Sequence, residues 1–210
     1  MEASTAAAAR LYRRGVRLEW FTVTWNVLEA VIAVTAGVLA GSIALVGFGI
    51  DSGIEVLAAS ALLWRFRRAG VGATVDEHSE AERRALYIVA ATFFFLAAYV
   101  GFEATRALGS GEEPDTSSAG VILSIASLVV MPTLAYAKQR TGQALGSRAL
   151  EADAIETWVC AYLSLALLVG VGLHAALGWW WADPAGALAM LPVIVWQGWE
   201  TLEEARDADD

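Results

Sequence analysis

The chain has little charge and few of the side chains on which catalysis usually depends. Its 210 residues include one cysteine and two histidines, and charged residues make up 18%. A single cysteine, Cys160, excludes an internal disulfide. The net charge of −9 argues against nucleic acid as a partner. No H-E-x-x-H, G-x-S-x-G or P-loop motif occurs, so we do not expect an enzyme.

Apolar residues are abundant, at 57% of the chain, with a mean hydropathy of +0.53. Because a helix needs roughly 20 mostly apolar residues to cross a bilayer, we predict six spans. We therefore expect an all-α, polytopic membrane protein with a six-helix bundle over 18–201. The predicted spans are about 18–38, 42–64, 85–107, 119–137, 150–174 and 184–200. An N-terminal segment at 1–17 lacks a signal-peptide core, and a short acidic tail covers 202–210.

Basic residues predict the orientation, because thirteen of the fourteen fall on one side of the predicted bundle. By the positive-inside rule both termini are then cytoplasmic. Two connections bear on this arrangement. Lys138 to Arg148 is predicted to join spans four and five. Asp183-Pro184 is typical of an N-cap and a first-turn proline opening the last helix.

Carboxylates inside the predicted spans are the main functional signal, since one at mid-membrane costs roughly 3 kcal/mol on the insertion scale. Asp51 and Glu55 are four residues apart and share a helix face, as do Glu156 and Cys160. If those faces meet, four ligands converge in the manner that a tetrahedral transition-metal site requires. Mixed oxygen and sulfur ligands favour Zn²⁺, Fe²⁺ or Co²⁺, and Mn²⁺ stays possible. If all four ligands were ionised, four negative charges would surround one divalent ion, which is an unfavourable excess. We therefore predict that the ligands carry protons and that metal binding displaces them.

Alternatives to this site remain open. A buried glutamate can be a protonated group that bonds between helices, and Cys160 can simply pack in a helix interface. Other polar residues are candidates for a pathway or proton relay: Asn26, Glu29, Asp153 and Glu103. His78 and Glu82 are candidates for a weak cytoplasmic metal site, although a solvated acidic loop is the alternative there.

The motifs resemble those of the cation diffusion facilitator family. They are the run Gly41-Ser42-Ile43-Ala44-Leu45, the step Asp51-Ser52, the helix-five stretch 151–160, and Trp181-Ala182-Asp183-Pro184. The resemblance implies six helices with cytoplasmic termini, homodimers and exchange of divalent metal ions for protons. It also implies a central site made by the helix-two pair Asp51 and Glu55 and the helix-five pair Glu156 and Cys160.

Several positions depart from the family pattern. Glu55 replaces the usual aspartate, Glu156 the usual histidine or aspartate, and Cys160 the usual aspartate. The chain ends soon after span six, so the resemblance implies a short form without the cytoplasmic C-terminal domain. We expect a secondary transporter that exports Zn²⁺ or a related ion in exchange for protons, in a plasma membrane of bacterial type. A membrane sensor or scaffold that binds metal without transport is the alternative.

Overall fold

The computed structural model describes residues 2–69 and 80–207, and it contains six helices and no strand in those ranges. The all-α prediction is confirmed. The helices are α1 (Glu2–Ala40), α2 (Ile43–Ala69), α3 (Glu80–Ser110), α4 (Ser118–Leu145), α5 (Arg148–Leu177) and α6 (Ala182–Asp207).

Five of the described helices, α1 to α5, are long and apolar enough to cross a membrane. α6 has 26 residues, so it also has sufficient length. Its apolar character is reduced by Asp183, two prolines and Gln197. Large apolar side chains such as Val38, Phe95 and Val129 are exposed on the outside of the bundle. This combination is that of a polytopic helical membrane protein.

α1 and α2 form a tight hairpin around Gly41, whose φ of 66° lies in the left-handed region that favours glycine. The two helices approach closely at Gly37 and Gly49. A Cβ atom on Gly49 would lie 2.8 Å from the backbone nitrogen of Val34, so no side chain fits there. α4 packs on α5 and α3 on α6, and the apolar core around Phe48, Leu163 and Met190 joins α2 to α5 and α6.

The connection between α4 and α5 is shorter than the sequence predicts. α4 continues to Leu145, ends at Gly146 in the left-handed conformation, and α5 begins at Arg148 after the N-cap Ser147. Lys138 therefore lies inside a helix, and its side chain is fully buried. It does not belong to a basic loop, and the predicted orientation rests on the remaining basic residues.

The sequence predicts that Asp183 is the N-cap of the last helix. In the structure Asp183 has a different role. α6 begins at Ala182, and the Asp183 carboxylate accepts hydrogen bonds from Ser42 Oγ at 2.6 Å and from the Ile43 backbone N–H at 3.0 Å. Ser42 Oγ in turn accepts from the Leu45 N–H at 3.1 Å. The carboxylate thus satisfies the N-terminus of α2 and ties α6 to it.

Candidate metal centre

A polar stripe runs along the buried face of α1. Glu19, Thr22, Asn26 and Glu29 follow one another at intervals of three or four residues, and each is at most 2% exposed. This spacing keeps side chains on one face of a helix. α5 carries a matching stripe, which consists of Asp153, Thr157, Cys160 and Ser164. The two stripes face a common interior, where they build three polar layers.

The middle layer contains the tightest group of potential metal ligands among the described residues. Asp51 and Glu55 of α2 meet Cys160 of α5, and one ligand atom from each lies within 4.8 Å of the others. All three side chains are buried. The Cys160 thiol donates to Glu55 Oε1 and lies 3.7 Å from Asp51 Oδ2. Helix periodicity explains the pair on α2, because residues four apart project from the same face.

Asn26 of α1 completes the surroundings of this group. Its side-chain amide donates to Glu55 Oε2 at 2.6 Å and thereby holds that carboxylate in place. Two oxygens nearby, Asn26 Oδ1 and Asp51 Oδ1, are buried and have no hydrogen-bond partner among the described residues. Buried polar atoms without partners are costly, so these oxygens are suited to receive a cation.

A second layer surrounds Glu29, further along α1 from its N-terminus. Ser127 Oγ donates to Glu29 Oε1, Ser52 Oγ makes a long contact of 3.5 Å to Oε2, and Ser164 lies 3.0 Å from Ser127. Four helices therefore contribute to this layer. Its hydroxyl groups hydrogen-bond the carboxylate and offset part of the cost of burying it.

The third layer, nearer the start of α1, is an ion-pair network. Lys138 Nζ lies 3.4 Å from Glu19, donates to Asp153 and lies 3.2 Å from Thr157 Oγ1. The Lys138 and Glu19 side chains are fully buried. Here two carboxylates share one ammonium group. This network joins α1, α4 and α5 on the side of the middle layer that is nearer the start of α1. Asp153, a candidate relay residue from the sequence, is thus held in an ion pair.

Glu156 is not in the group formed by Asp51, Glu55 and Cys160. It lies beside α6 and lines a small cavity with Glu200 and Glu204. Residues four apart lie about 40° apart around a helix of 3.6 residues per turn, close enough to share a face, as Asp51 and Glu55 do. On α5 the neighbouring helices make the difference, because Cys160 meets Glu55 of α2 whereas Glu156 lines the cavity against α6.

Glu103, another candidate from the sequence, lies away from the centre. Glu103, near the end of α3, forms an ion pair of 2.9 Å with Arg106, which also contacts Glu112 at 2.9 Å. These residues line a cavity of about 480 Å³ at the end of the bundle where α1 and α2 connect. His78 lies outside the described residues, and so does the side chain of Glu82, so the weak cytoplasmic site stays a prediction.

Sequence reasoning missed Glu19, Lys138 and the serines around Glu29. Their signal is the spacing on each helix: Glu19 lies seven residues before Asn26, and Ser164 lies four after Cys160. Lys138 continues the same spacing on α4 after Ser127, Met131 and Leu134, but it stands at the start of a charged stretch that resembles a loop.

Comparison with known proteins finds a matching domain family and several relatives. Residues 20–208 match the cation efflux transmembrane domain. An uncharacterized transporter of Synechocystis sp. is 29% identical over 169 residues, which are 79% of this chain and 54% of that protein. Transmembrane protein 163 of Xenopus laevis is 25% identical over 189 residues, which are 89% of this chain and 66% of that protein.

The chain therefore spans between about half and two thirds of the length of these relatives. The domain match, by contrast, covers nearly all of the chain and includes every residue of the middle layer. This chain belongs to the cation efflux family.

Proposed function

We propose that the protein is a secondary transporter of divalent transition-metal ions and that Asp51, Glu55 and Cys160 bind the transported ion. The observation that carries this proposal is the convergence of two carboxylates and a thiol within 4.8 Å in the middle of a helical bundle. Membership of the cation efflux family supports it. The name of the Synechocystis relative, a transporter, agrees with it.

The geometry suits a tetrahedral ion such as Zn²⁺. Zinc bonds to oxygen and sulfur are about 2.0–2.3 Å long, so two ligand atoms of one tetrahedral ion lie about 3.3–3.8 Å apart. The distance of 3.7 Å between Cys160 Sγ and Asp51 Oδ2 already falls in that range. One thiolate among oxygen ligands favours Zn²⁺, Fe²⁺ or Co²⁺ over Mg²⁺ or Ca²⁺. Three ligands leave a fourth position open, which suits a site that must release its ion.

Proton exchange follows from the same three side chains. A metal ion binds carboxylates and a thiolate, so protons on these groups must leave when the ion enters. When the ion leaves, the buried ligands regain protons because unpaired charges in a bundle interior are costly. We propose that this competition couples metal efflux from the cytoplasm to proton influx. Alternating access around the buried centre supplies the route.

Reconstitution tests this function. We expect the purified protein in proteoliposomes to move Zn²⁺ across the bilayer when a pH gradient is imposed, and collapsing the gradient to slow that flux. Saturable Zn²⁺ binding without flux would instead support the metal sensor or scaffold. Crosslinking in the bilayer tests whether the chain forms the homodimer that the family resemblance implies.

A further inference from the structure

A small acidic cavity lies between α5 and α6, apart from the group formed by Asp51, Glu55 and Cys160. Its volume is about 80 Å³. This is space for a hydrated metal ion, since roughly 10–15 Å³ of such space is enough to hold one water. The polar side chains that line it are Glu156, Gln197, Glu200, Thr201 and Glu204.

Gln197 is the observation that points to a ligand. Its side chain is 5% exposed, it lines the cavity, and its Oε1 has no hydrogen-bond partner among the described residues. A buried amide oxygen without a donor is unfavourable, and a cation in the cavity would satisfy it. Thr201 Oγ1 donates to the Gln197 backbone oxygen at 2.8 Å, so its own lone pairs remain available.

The other ligands are carboxylates on two helices. Glu200 and Glu204 are one turn apart on α6, and Glu156 faces them from α5. Three acidic groups beside one another repel, and a divalent cation between them removes that repulsion. All of these ligands are oxygens, whereas the buried centre includes a thiol. An oxygen-only set suits hard ions such as Mn²⁺ and does not discriminate in favour of softer ones.

We propose that Glu156, Gln197, Glu200 and Glu204 form a second divalent-cation site between α5 and α6. Glu156 lies one helical turn from Cys160, about 6 Å along the axis of α5. Glu200 and Glu204 are exposed near the end of α6, so cations can reach the site from solvent there. The site thus loads hydrated cations before they reach the buried centre. This loading role rests on the proposed function, whereas cation binding at the site does not depend on it.

Counting bound Mn²⁺ by electron paramagnetic resonance tests the site in the full chain, purified in nanodiscs. We expect the double variant Glu200→Gln/Glu204→Gln to bind one Mn²⁺ fewer per chain than the wild type, or to bind it at least tenfold more weakly. Glu203→Gln is the matched control. Glu203 lies on the same helix, is exposed and accepts a hydrogen bond from Trp199, and it does not line the cavity. That variant should bind Mn²⁺ as the wild type does.

A second arm separates this site from the buried centre. Asp51→Asn should retain the Mn²⁺ ion that the double variant loses. Unchanged Mn²⁺ binding in the double variant, or complete loss of binding in folded Asp51→Asn, would overturn the second site. A wild-type chain that binds no Mn²⁺ would do the same. The two proposals can fail separately. If the chain shows the expected Mn²⁺ count but no Zn²⁺ flux, the transport function is contradicted and the second site is still supported.

Discussion

The side-chain amide of Asn26 donates a 2.6 Å hydrogen bond to Glu55, and so α1 positions a carboxylate that α2 supplies. Glu55 in turn accepts from the Cys160 thiol of α5. Three helices are thereby connected through a few atoms at the proposed metal centre. A shift of α1 relative to α2 would change the position of the Glu55 carboxylate and hence the affinity for metal.

Replacement of Asn26 tests this relationship. We expect Asn26→Ala to weaken Zn²⁺ binding by about 10–100-fold, the range typical of residues that orient a metal ligand. Isothermal titration calorimetry on the purified chain measures the change. Thr24→Ala is the control, because Thr24 lies on the same helix, is exposed, and donates to the backbone oxygen of Trp20. Equal losses in both variants would contradict a specific role for Asn26.

The single cysteine allows a direct spectroscopic test. Co²⁺ bound to a thiolate gives an intense charge-transfer band in the near ultraviolet, and Cys160 is the only thiol in the chain. We expect the wild-type protein to show this band and the Cys160→Ser variant to lose it. The metal-binding preference of that variant should also shift from Zn²⁺ toward Mn²⁺. A wild-type chain that binds Co²⁺ without the band would show that the thiol is not a ligand.

The buried ion-pair network makes a prediction about stability. We expect Lys138→Met to lower the free energy of unfolding by about 3–5 kcal/mol, because it leaves Glu19 and Asp153 buried without their cation. Adding Glu19→Gln and Asp153→Asn to that variant should recover much of the loss. Arg140→Met, at an exposed position two residues along, is the control. Thermal unfolding in detergent provides the comparison, and a triple variant no more stable than Lys138→Met would argue against the network.

Much of the site could be predicted from periodicity along single helices. Asp51 and Glu55 are four residues apart on α2, and their shared face needs no knowledge of the neighbours. Glu156 shows the limit of that reasoning. It has the same spacing from Cys160 that Asp51 has from Glu55, yet it lines the cavity against α6, and only the packed bundle reveals which side chain meets which helix. The sequence predicts Lys138 in a loop for a related reason. A lysine in a charged stretch appears solvated unless its partners on other helices, Glu19 and Asp153, are known.

The N-terminus of α2 provides a local test of the fold. We expect Asp183→Ala to destabilise the protein by about 0.5–2 kcal/mol, the usual cost of losing an N-terminal cap. The carboxylate it removes accepts from Ser42 and from the Ile43 backbone N–H. Hydrogen exchange should therefore accelerate in the first turn of α2. Asp115→Ala, in the exposed connection before α4, should leave that exchange unchanged.

The claim that Asp51, Glu55 and Cys160 bind the transported ion is tested most directly by Zn²⁺ flux in proteoliposomes. The comparison is between the wild type, Asp51→Asn and the exposed control Asp115→Asn, each reconstituted to the same density under one imposed pH gradient. We expect gradient-driven flux for the wild type and Asp115→Asn. For Asp51→Asn we expect the flux to fall at least about 100-fold, since removing a metal ligand should cost at least as much as removing a group that orients one. Wild-type flux from correctly folded Asp51→Asn would contradict the role of Asp51 as a ligand of the transported ion.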